Sequence, residues 1–407
     1  MPATRLKKLT TNLRLVTLTM RTTTTTPSAL APWARGAPIP RARAARAAVR
    51  ARAPALLARA SSESETTTTT SSASTTDRVT LGTSDLSVAA TGVGAWAWGD
   101  RSGYWGDDWR GDRARNLRAY ETLLAGGVDF IDTAEVYGFG KSEELIAEFA
   151  RSTAGDDALV DPVFATKFAP LPLRWTASAV PDALEKSLAR MGQKKIGLYM
   201  QHWPGFGIQD VANDAFLEGL CLCYERGLCD AVGVSNFNAA RVATAAKKFA
   251  SRGVPFASNQ IQYSLLYRDP ELKTGVVQAC EDVGVTVVAY SPMAQGLLTG
   301  KYSGAGAAAV KGPRGAVFSD ARRAAVGELV DLMKSIGKER GDKTPAQVAV
   351  NYCMTKGSVP IPGAKDAAQA ASVVGCLGWR LSEGEVRELE KAAGKVPASP
   401  GAPFEAW

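Results

Sequence analysis

The chain has a single histidine in 407 residues and six cysteines, with no Cys-x-x-Cys pair among them. Without His and Cys clusters at ligand spacing, there is no structural metal site to read. The cysteines (Cys221, Cys223, Cys229, Cys280, Cys353, Cys376) are expected to be reduced core residues; a regulatory disulfide is the alternative. No stretch reaches the roughly 18 consecutive apolar residues that a membrane-spanning helix needs. Acid is missing from one region altogether. Residues 1–60 hold twelve Lys or Arg and no Asp or Glu, so the formal charge of +8 belongs to them. The remaining 36 basic and 40 acidic residues leave about −4 on residues 61–407, which gives no support for nucleic-acid binding.

What is present in residues 1–60 is Arg, Ala and Thr, the composition of an organelle transit peptide. The stretch 13–18 is broken by Arg14 and is too short for the apolar core of a secretory signal. The Thr tracts favour a chloroplast destination, with the mitochondrion as alternative and a retained basic tail as the bland reading. Residues 61–76 contain thirteen Ser or Thr in sixteen positions and cannot build a core, so they read as a linker. The folded domain is expected over 77–407.

From residue 77 the pattern alternates. Runs at 79–81 and 86–89 flank Gly82-Thr83-Ser84-Asp85 and predict a hairpin. Eight short runs follow, at 90–96, 129–133, 163–167, 196–202, 231–235, 258–262, 286–290 and 359–362. Most are continuously apolar, as strands buried on both faces are. Amphipathic segments at 112–126, 142–152, 181–191, 210–227, 238–251, 272–283, 345–356 and 366–376 predict the intervening helices, with extra ones near 320–340 and 382–393. This is an α/β chain, and eight βα units in about 310 residues predict a (β/α)₈ TIM barrel with an N-terminal hairpin and extra C-terminal helices. A doubly wound sheet would carry a third glycine after its first strand. Here Gly92-Val93-Gly94 runs into Ala95-Trp96-Ala97, so the pair reads as a tight barrel turn instead.

Barrel chemistry sits at the carboxyl ends of the strands. Three consecutive predicted strands end in Asp132 with Tyr137, in Lys167, and in the lone histidine, His202. Each alone has an ordinary explanation as a loop tyrosine, a turn carboxylate, a solvated lysine or a core histidine. Together they form a proton-transfer set. A carbonyl that receives hydride must be protonated, and a tyrosine can supply the proton. An adjacent ammonium is expected to lower the phenol pKa from its reference of about 10. Asp132 would keep a buried Lys167 charged, and His202 could orient the carbonyl oxygen or relay the proton.

With these residues in place the chain resembles the aldo-keto reductase superfamily, most closely its plastid-targeted members in plants and green algae. The matching segments are Asp132-Thr133-Ala134 with Tyr137-Gly138, Ala165-Thr166-Lys167, Gln201-His202-Trp203, Gly233-Val234-Ser235-Asn236-Phe237, Asn259-Gln260, Ala289-Tyr290-Ser291-Pro292 and Ile361-Pro362-Gly363-Ala364. They run in family order from 79 to about 390. The resemblance implies a tetrad of Asp132, Tyr137, Lys167 and His202, and NADPH/NADP+ across the barrel mouth. Ser235, Asn236 and Gln260 would hold the nicotinamide carboxamide and Tyr290 would stack on the ring. Ser291, Met293, Gly296 and Leu297 would follow the pyrophosphate, with Lys301 nearby. Gly363, Lys365 and Gln369 fall at the 2′-phosphate end, where an arginine found in many relatives is missing.

The segment 95–109 supplies Trp96, Trp98 and Trp105 as a candidate aromatic wall for a small carbonyl substrate, joined by Trp203. Gly300 to Gly315, with Lys301, Tyr302, Lys311 and Arg314, reads as a flap over the cofactor. The expected activity is NADPH-dependent reduction of an aldehyde or ketone, in a monomer or weak oligomer. The alternative is a nicotinamide-binding sensor or regulatory subunit with slow or no turnover.

Overall fold

In a computed structural model of the chain, residues 77–100, 104–105, 112–303, 310 and 318–398 are described. The leader and linker assigned to 1–76, most of the flap and the stretch 399–407 lie outside the described residues. The chain opens with a hairpin of β1 (Arg78–Thr80) and β2 (Ser87–Ala89). The barrel strands follow: β3 (Val93–Gly94), β4 (Phe130–Asp132), β5 (Val163–Phe168), β6 (Ile196–Gln201), β7 (Cys229–Ser235), β8 (Phe256–Gln262), β9 (Thr286–Tyr290) and β10 (Val359–Pro360). The helices are α1 (Arg113–Ala125), α2 (Lys141–Ser152), α3 (Ala179–Met191), α4 (Asn213–Glu225), α5 (Ala239–Ser251), α6 (Asp269–Leu272), α7 (Val276–Asp282), α8 (Asp320–Glu339), α9 (Pro345–Thr355), α10 (Ala367–Val374) and α11 (Glu383–Ala393).

All eight barrel strands are parallel neighbours in chain order, from β3 to β10. The ring closes because Gly92 N–H donates to Pro360 O at 2.9 Å and Gly94 N–H to Pro362 O at 3.0 Å. The predicted barrel is therefore the observed one, and a doubly wound sheet is excluded. Its first strand is shorter than expected. Gly92 and Gly94 are not turn residues: a Cβ on Gly92 would stand 2.6 Å from the Phe130 ring, so this glycine lets the first strand close against the second.

Two cores follow from the two-residue period of the strands. Inward side chains such as Phe130, Ala165, Leu198, Met200, Ala231 and Val288 fill the barrel with apolar bulk. Outward ones meet the helices in a larger apolar shell that includes Tyr199, Phe216, Phe249 and Leu329. The hairpin covers the amino-terminal end, where Leu81 and Val88 enter the inner core. Gly82, at φ +55, lies so close to Phe256 O that no side chain fits. Asp129 fastens this floor by accepting Ala89 N–H at 2.8 Å and Arg78 Nη2 at 2.7 Å.

The helix predictions differ in two places. The helix expected over 272–283 starts late, as α7 at Val276 behind Gly275 at φ +67, and α6 precedes it, sharing only Leu272 with the expected span. The segment expected over 210–227 begins as a 3₁₀ turn (Gly207–Ala212) before α4. All six cysteines are free and buried.

Candidate active site

The inward period that fills the barrel also builds its mouth. Phe130 and Asp132, Ala165 and Lys167, and Met200 and His202 are successive inward positions, so the last inward residue of each strand is polar. Asp132 and Lys167 are fully buried, and Lys167 Nζ lies 2.5 Å from Asp132 Oδ1. The ammonium also donates to Thr133 O at 2.8 Å and reaches Tyr137 Oη at 3.5 Å. Three donors meet three oxygens, which is what a buried ammonium requires. Tyr137 Oη is 3.4 Å from His202 Nε2, and the two rings meet edge to face at 5.5 Å. The four side chains singled out in the sequence therefore form one contact chain: Asp132, Lys167, Tyr137, His202.

The electrostatics correct one expectation. The net Tyr137 pKa is raised, not lowered, despite the ammonium beside it. Burial pushes the phenol well above 10, and the Asp132 carboxylate adds to the rise. The reason is that the ammonium's charge is directed into Asp132 at 2.5 Å, a full ångström closer than the phenol. Burial lowers Lys167 below its ordinary value against the pull of Asp132, and raises Asp132 against the pull of Lys167. The His202 imidazole is held well below 6.5, first by burial and then by the Lys167 charge. At neutral pH the mouth thus presents a neutral phenol and a neutral imidazole to the same point.

Residues assigned to the cofactor form a second network beside the first. Ser235 Oγ and Asn236 N–H both donate to Gln260 O, at 2.8 and 2.9 Å. Asn236 sits at φ +60, and its Nδ2 donates to His202 O at 3.0 Å. Tyr290 Oη donates to Asn236 Oδ1 at 2.9 Å. Asn259 clamps the next residue by accepting Phe237 N–H and donating to Phe237 O. After β9 the backbone turns left-handed at Ser291, Ala294, Gln295 and Gly296. Met293 is partly exposed there, but Leu297 is buried in the core. Lys301 is exposed, with Nζ 5.5 Å from the Tyr302 ring.

At the far end, Gly363 is exposed and Gln369 Oε1 accepts the Lys365 N–H at 3.0 Å. Asp366 caps α10 by accepting Gln369 N–H. Arg115, from the first turn of α1, reaches the same place and pairs with Asp366 at 3.0 Å. No local spacing could have revealed this cation, since its partner is 251 residues away.

The aromatic wall is only partly as expected. Trp96 is 40% exposed and stacks on Tyr137 at 6.0 Å and on Tyr104 at 5.0 Å, with Trp105 edge-on at 5.1 Å. Trp203 lies against His202 at 4.7 Å. Trp98 is not part of this wall. It is fully buried against Tyr120 and Phe149, and its Nε1 donates to Ala364 O at 2.7 Å. Its even spacing from Trp96 did not place both on one face because the strand ends at Gly94 and the chain turns.

Glu143, the first acid of α2, is also unanticipated. It reads as a dipole-complementing surface residue but is fully buried, accepting Thr166 Oγ1 and Arg190 Nε, both at 2.6 Å. Thr166 precedes Lys167, so this clamp fixes the strand that carries the ammonium.

A parallel eight-stranded barrel with a buried Asp–Lys–Tyr–His chain at its carboxyl mouth defines a class of oxidoreductases. The aldo/keto reductase family model matches residues 90–393. A chloroplastic pyridoxal reductase of Arabidopsis thaliana is 36% identical over 321 residues, covering 77% of this chain and 86% of that one. The glycerol dehydrogenase of Gluconobacter oxydans superposes with a TM-score of 0.66 at 25% identity, covering 80% of this chain and 98% of its own. An aldo/keto reductase of Klebsiella pneumoniae, solved with NADP and acetate, gives 0.59 at 23% identity, covering 81% and 99%. The chain belongs to the aldo/keto reductase family, and it is an oxidoreductase.

Proposed function

We propose that the protein reduces an aldehyde or ketone with NADPH, with Tyr137 as the general acid. The observation that carries this reading is the neutral Tyr137–His202 pair at the mouth, 3.4 Å apart, backed by the buried Lys167–Asp132 pair. The donor set fits a nicotinamide dinucleotide. Hydroxyl and amide groups of Ser235, Asn236 and Gln260 stand beside Tyr290 at one end. Lys365 and Arg115 meet Asp366 and Gln369 at the amino terminus of α10, which favours a phosphate, and Lys301 is assigned to the pyrophosphate stretch between. Bound there, a reduced nicotinamide supplies a hydride to the carbonyl carbon.

The chain's own residues do the rest. Tyr137 Oη and His202 Nε2 are close enough to bind one carbonyl oxygen between them. As charge grows on that oxygen, the phenol proton moves to it. The phenolate left behind lies 3.5 Å from the Lys167 ammonium, which has its other two hydrogens held by Asp132 and Thr133. Its charge is thereby stabilised where water is scarce. A phenol pKa well above 10 keeps the acid loaded across the neutral range.

Trp96, stacked on Tyr137 and open to solvent, supports planar aromatic aldehydes such as pyridoxal as the substrate class. The leader composition, together with the chloroplastic relative, supports a plastid destination, which a fluorescent fusion of residues 1–76 would test. For the activity, NADPH absorbance is followed with residues 77–407 and a panel of pyridoxal, benzaldehyde and methylglyoxal. Turnover abolished by Tyr137→Phe with NADPH binding intact is the expected result. Tight NADPH binding with no turnover on any carbonyl would point to the sensor reading instead.

A further inference from the structure

Asp132 and Gln260 stand on β4 and β8, four strands apart in an eight-stranded ring, and so face each other across the barrel. Their side chains meet. Gln260 Nε2 donates to Asp132 Oδ2 at 2.9 Å, while Lys167 holds Oδ1. Both residues are buried. Below the bond lies the apolar fill of the barrel, and above it lie Tyr137 and His202. The same glutamine accepts Ser235 Oγ and Asn236 N–H on its backbone carbonyl, so one residue belongs to both networks of the mouth.

We propose that Gln260 is a positioning residue for the Asp132–Lys167 pair, and that its single amide couples nicotinamide binding to that pair. This rests on the NADPH reading above. A primary amide has two donor hydrogens and one acceptor oxygen in a fixed plane. With one hydrogen committed to Asp132, the plane is set, and the remaining donor and acceptor are offered in one orientation only. A nicotinamide carboxamide that binds this orientation also favours ionised Asp132, which in turn keeps Lys167 charged beneath Tyr137. Linkage is reciprocal, so neutralising Asp132 weakens the cofactor although Asp132 itself need not touch it. The glutamine in the Asn259-Gln260 motif thus acts in two directions.

The test is a double-mutant cycle on NADPH affinity, read by nicotinamide fluorescence, in wild type, Asp132→Asn, Gln260→Met and the double variant. Asp132→Asn is expected to weaken NADPH about tenfold in the wild-type background and less than about twofold beside Gln260→Met, one tenfold step being a single good hydrogen bond. Affinity for 2′,5′-ADP, which lacks the nicotinamide, stays constant throughout. At saturating NADPH, Gln260→Met lowers kcat about tenfold or more. A glutamine that only held the carboxamide would raise KM for NADPH and leave kcat alone. Additive effects on NADPH affinity, or a retained kcat, overturn the proposal. Where Asp132→Asn does not fold, Gln260→Asn replaces it, being an amide one methylene short of Asp132. A kcat lost as in Gln260→Met supports the coupling, and a wild-type kcat overturns it. Should the wild type bind neither NADPH nor NADH, the functional reading fails by itself. The same cycle read as urea midpoints of the ligand-free protein then decides the positioning role, non-additive shifts supporting it and additive ones overturning it.

Discussion

Strand β4 is three residues long, with one carboxylate, Asp129, just before it and another, Asp132, as its last residue. Asp129, at the amino-terminal floor, accepts a backbone N–H of the hairpin and the Arg78 guanidinium. Asp132, at the carboxyl mouth, accepts only side-chain donors from two other strands, Lys167 and Gln260. The floor carboxylate closes a structure: it is itself buried, but one partner is backbone and the other, Arg78, is 36% exposed, so the cation stays partly in water. The mouth carboxylate is buried against a buried ammonium, a pairing whose desolvation offsets much of its attraction. Nothing about folding requires a charge there. An ion pair kept at such cost, next to a tyrosine and a histidine, is explained by what it does to them.

The largest way to sharpen that contrast is at the mouth itself. Tyr137→Phe should lower kcat for carbonyl reduction by about 10²–10⁴, the usual worth of a positioned acid, with NADPH affinity unchanged. A melting temperature within about 2 °C of wild type is expected, since the ring and its stack on Trp96 remain. Asp132→Asn should cost both ways, because it leaves Lys167 buried without a counter-charge. Breaking such a pair destabilises by about 3–5 kcal/mol, measured by urea unfolding, and the Tyr137-dependent rate falls with it.

At the floor the outcome reverses. Asp129→Ala removes the acceptor of a buried N–H and one partner of Arg78, which should cost about 1–3 kcal/mol of stability. kcat and KM at the opposite end should stay within about twofold. Loss of activity in a folded Asp129→Ala protein would break the comparison, showing that the two ends of β4 are not separable.

The division between what the sequence reveals and what it hides follows the same line. Barrel strands buried on both faces are legible as apolar runs, and Asp132, Lys167 and His202 are legible because each stands at the end of one, with Tyr137 in the loop that follows the first. The short first strand was overestimated because Ala90 and Trp96 extend the apolar pattern past the backbone pairing at Val93 and Gly94. Trp98 lies past that strand, where no period tells which aromatic rings face the mouth and which turn into the core. The direction of the Tyr137 pKa is not legible, because residue types give neighbours but not the burial that outweighs Lys167. Gln260 on Asp132, Arg115 on Asp366 and Glu143 on Thr166 are contacts between distant segments or across a wall, and spacing along the chain carries no trace of them.

A smaller effect tests the neutral imidazole. His202 is the chain's single histidine, so protonation between about pH 5 and 6.5 can be assigned to it. Its folded pKa is depressed, so the folded protein resists a proton that the unfolded chain accepts. Stability is then unaffected by this group above about 6.5 and falls as pH drops below it, by up to about 1.4 kcal/mol per pH unit. His202→Gln should abolish that slope in urea unfolding followed from pH 7 to 5. A slope that persists in the variant would mean that the imidazole is not held neutral.

The smallest effect belongs to a carboxylate at neither end. Glu385 closes the capping box of α11 with Ser382 and pairs with Arg340 at 2.5 and 2.8 Å. The Arg340 guanidinium holds it down to about 2, from an ordinary 4.5. A depressed carboxylate contributes stability that is complete above the unfolded value and is lost as pH falls from about 4.5 toward 2. Because Arg340 is about a third exposed, water screens the pair, and the contribution at neutral pH should be no more than about 1 kcal/mol. Glu385→Gln keeps the capping geometry and removes the charge, so it isolates this term. The variant should be slightly less stable at pH 7, converge with wild type near pH 2, and leave every kinetic constant unchanged. Convergence with no kinetic change would set the scale of a surface carboxylate in this fold, against which the costlier pair at Asp132 can be judged. A kinetic change here would argue that activity tracks stability generally, and would remove the reason for reading the mouth pair as anything but structural.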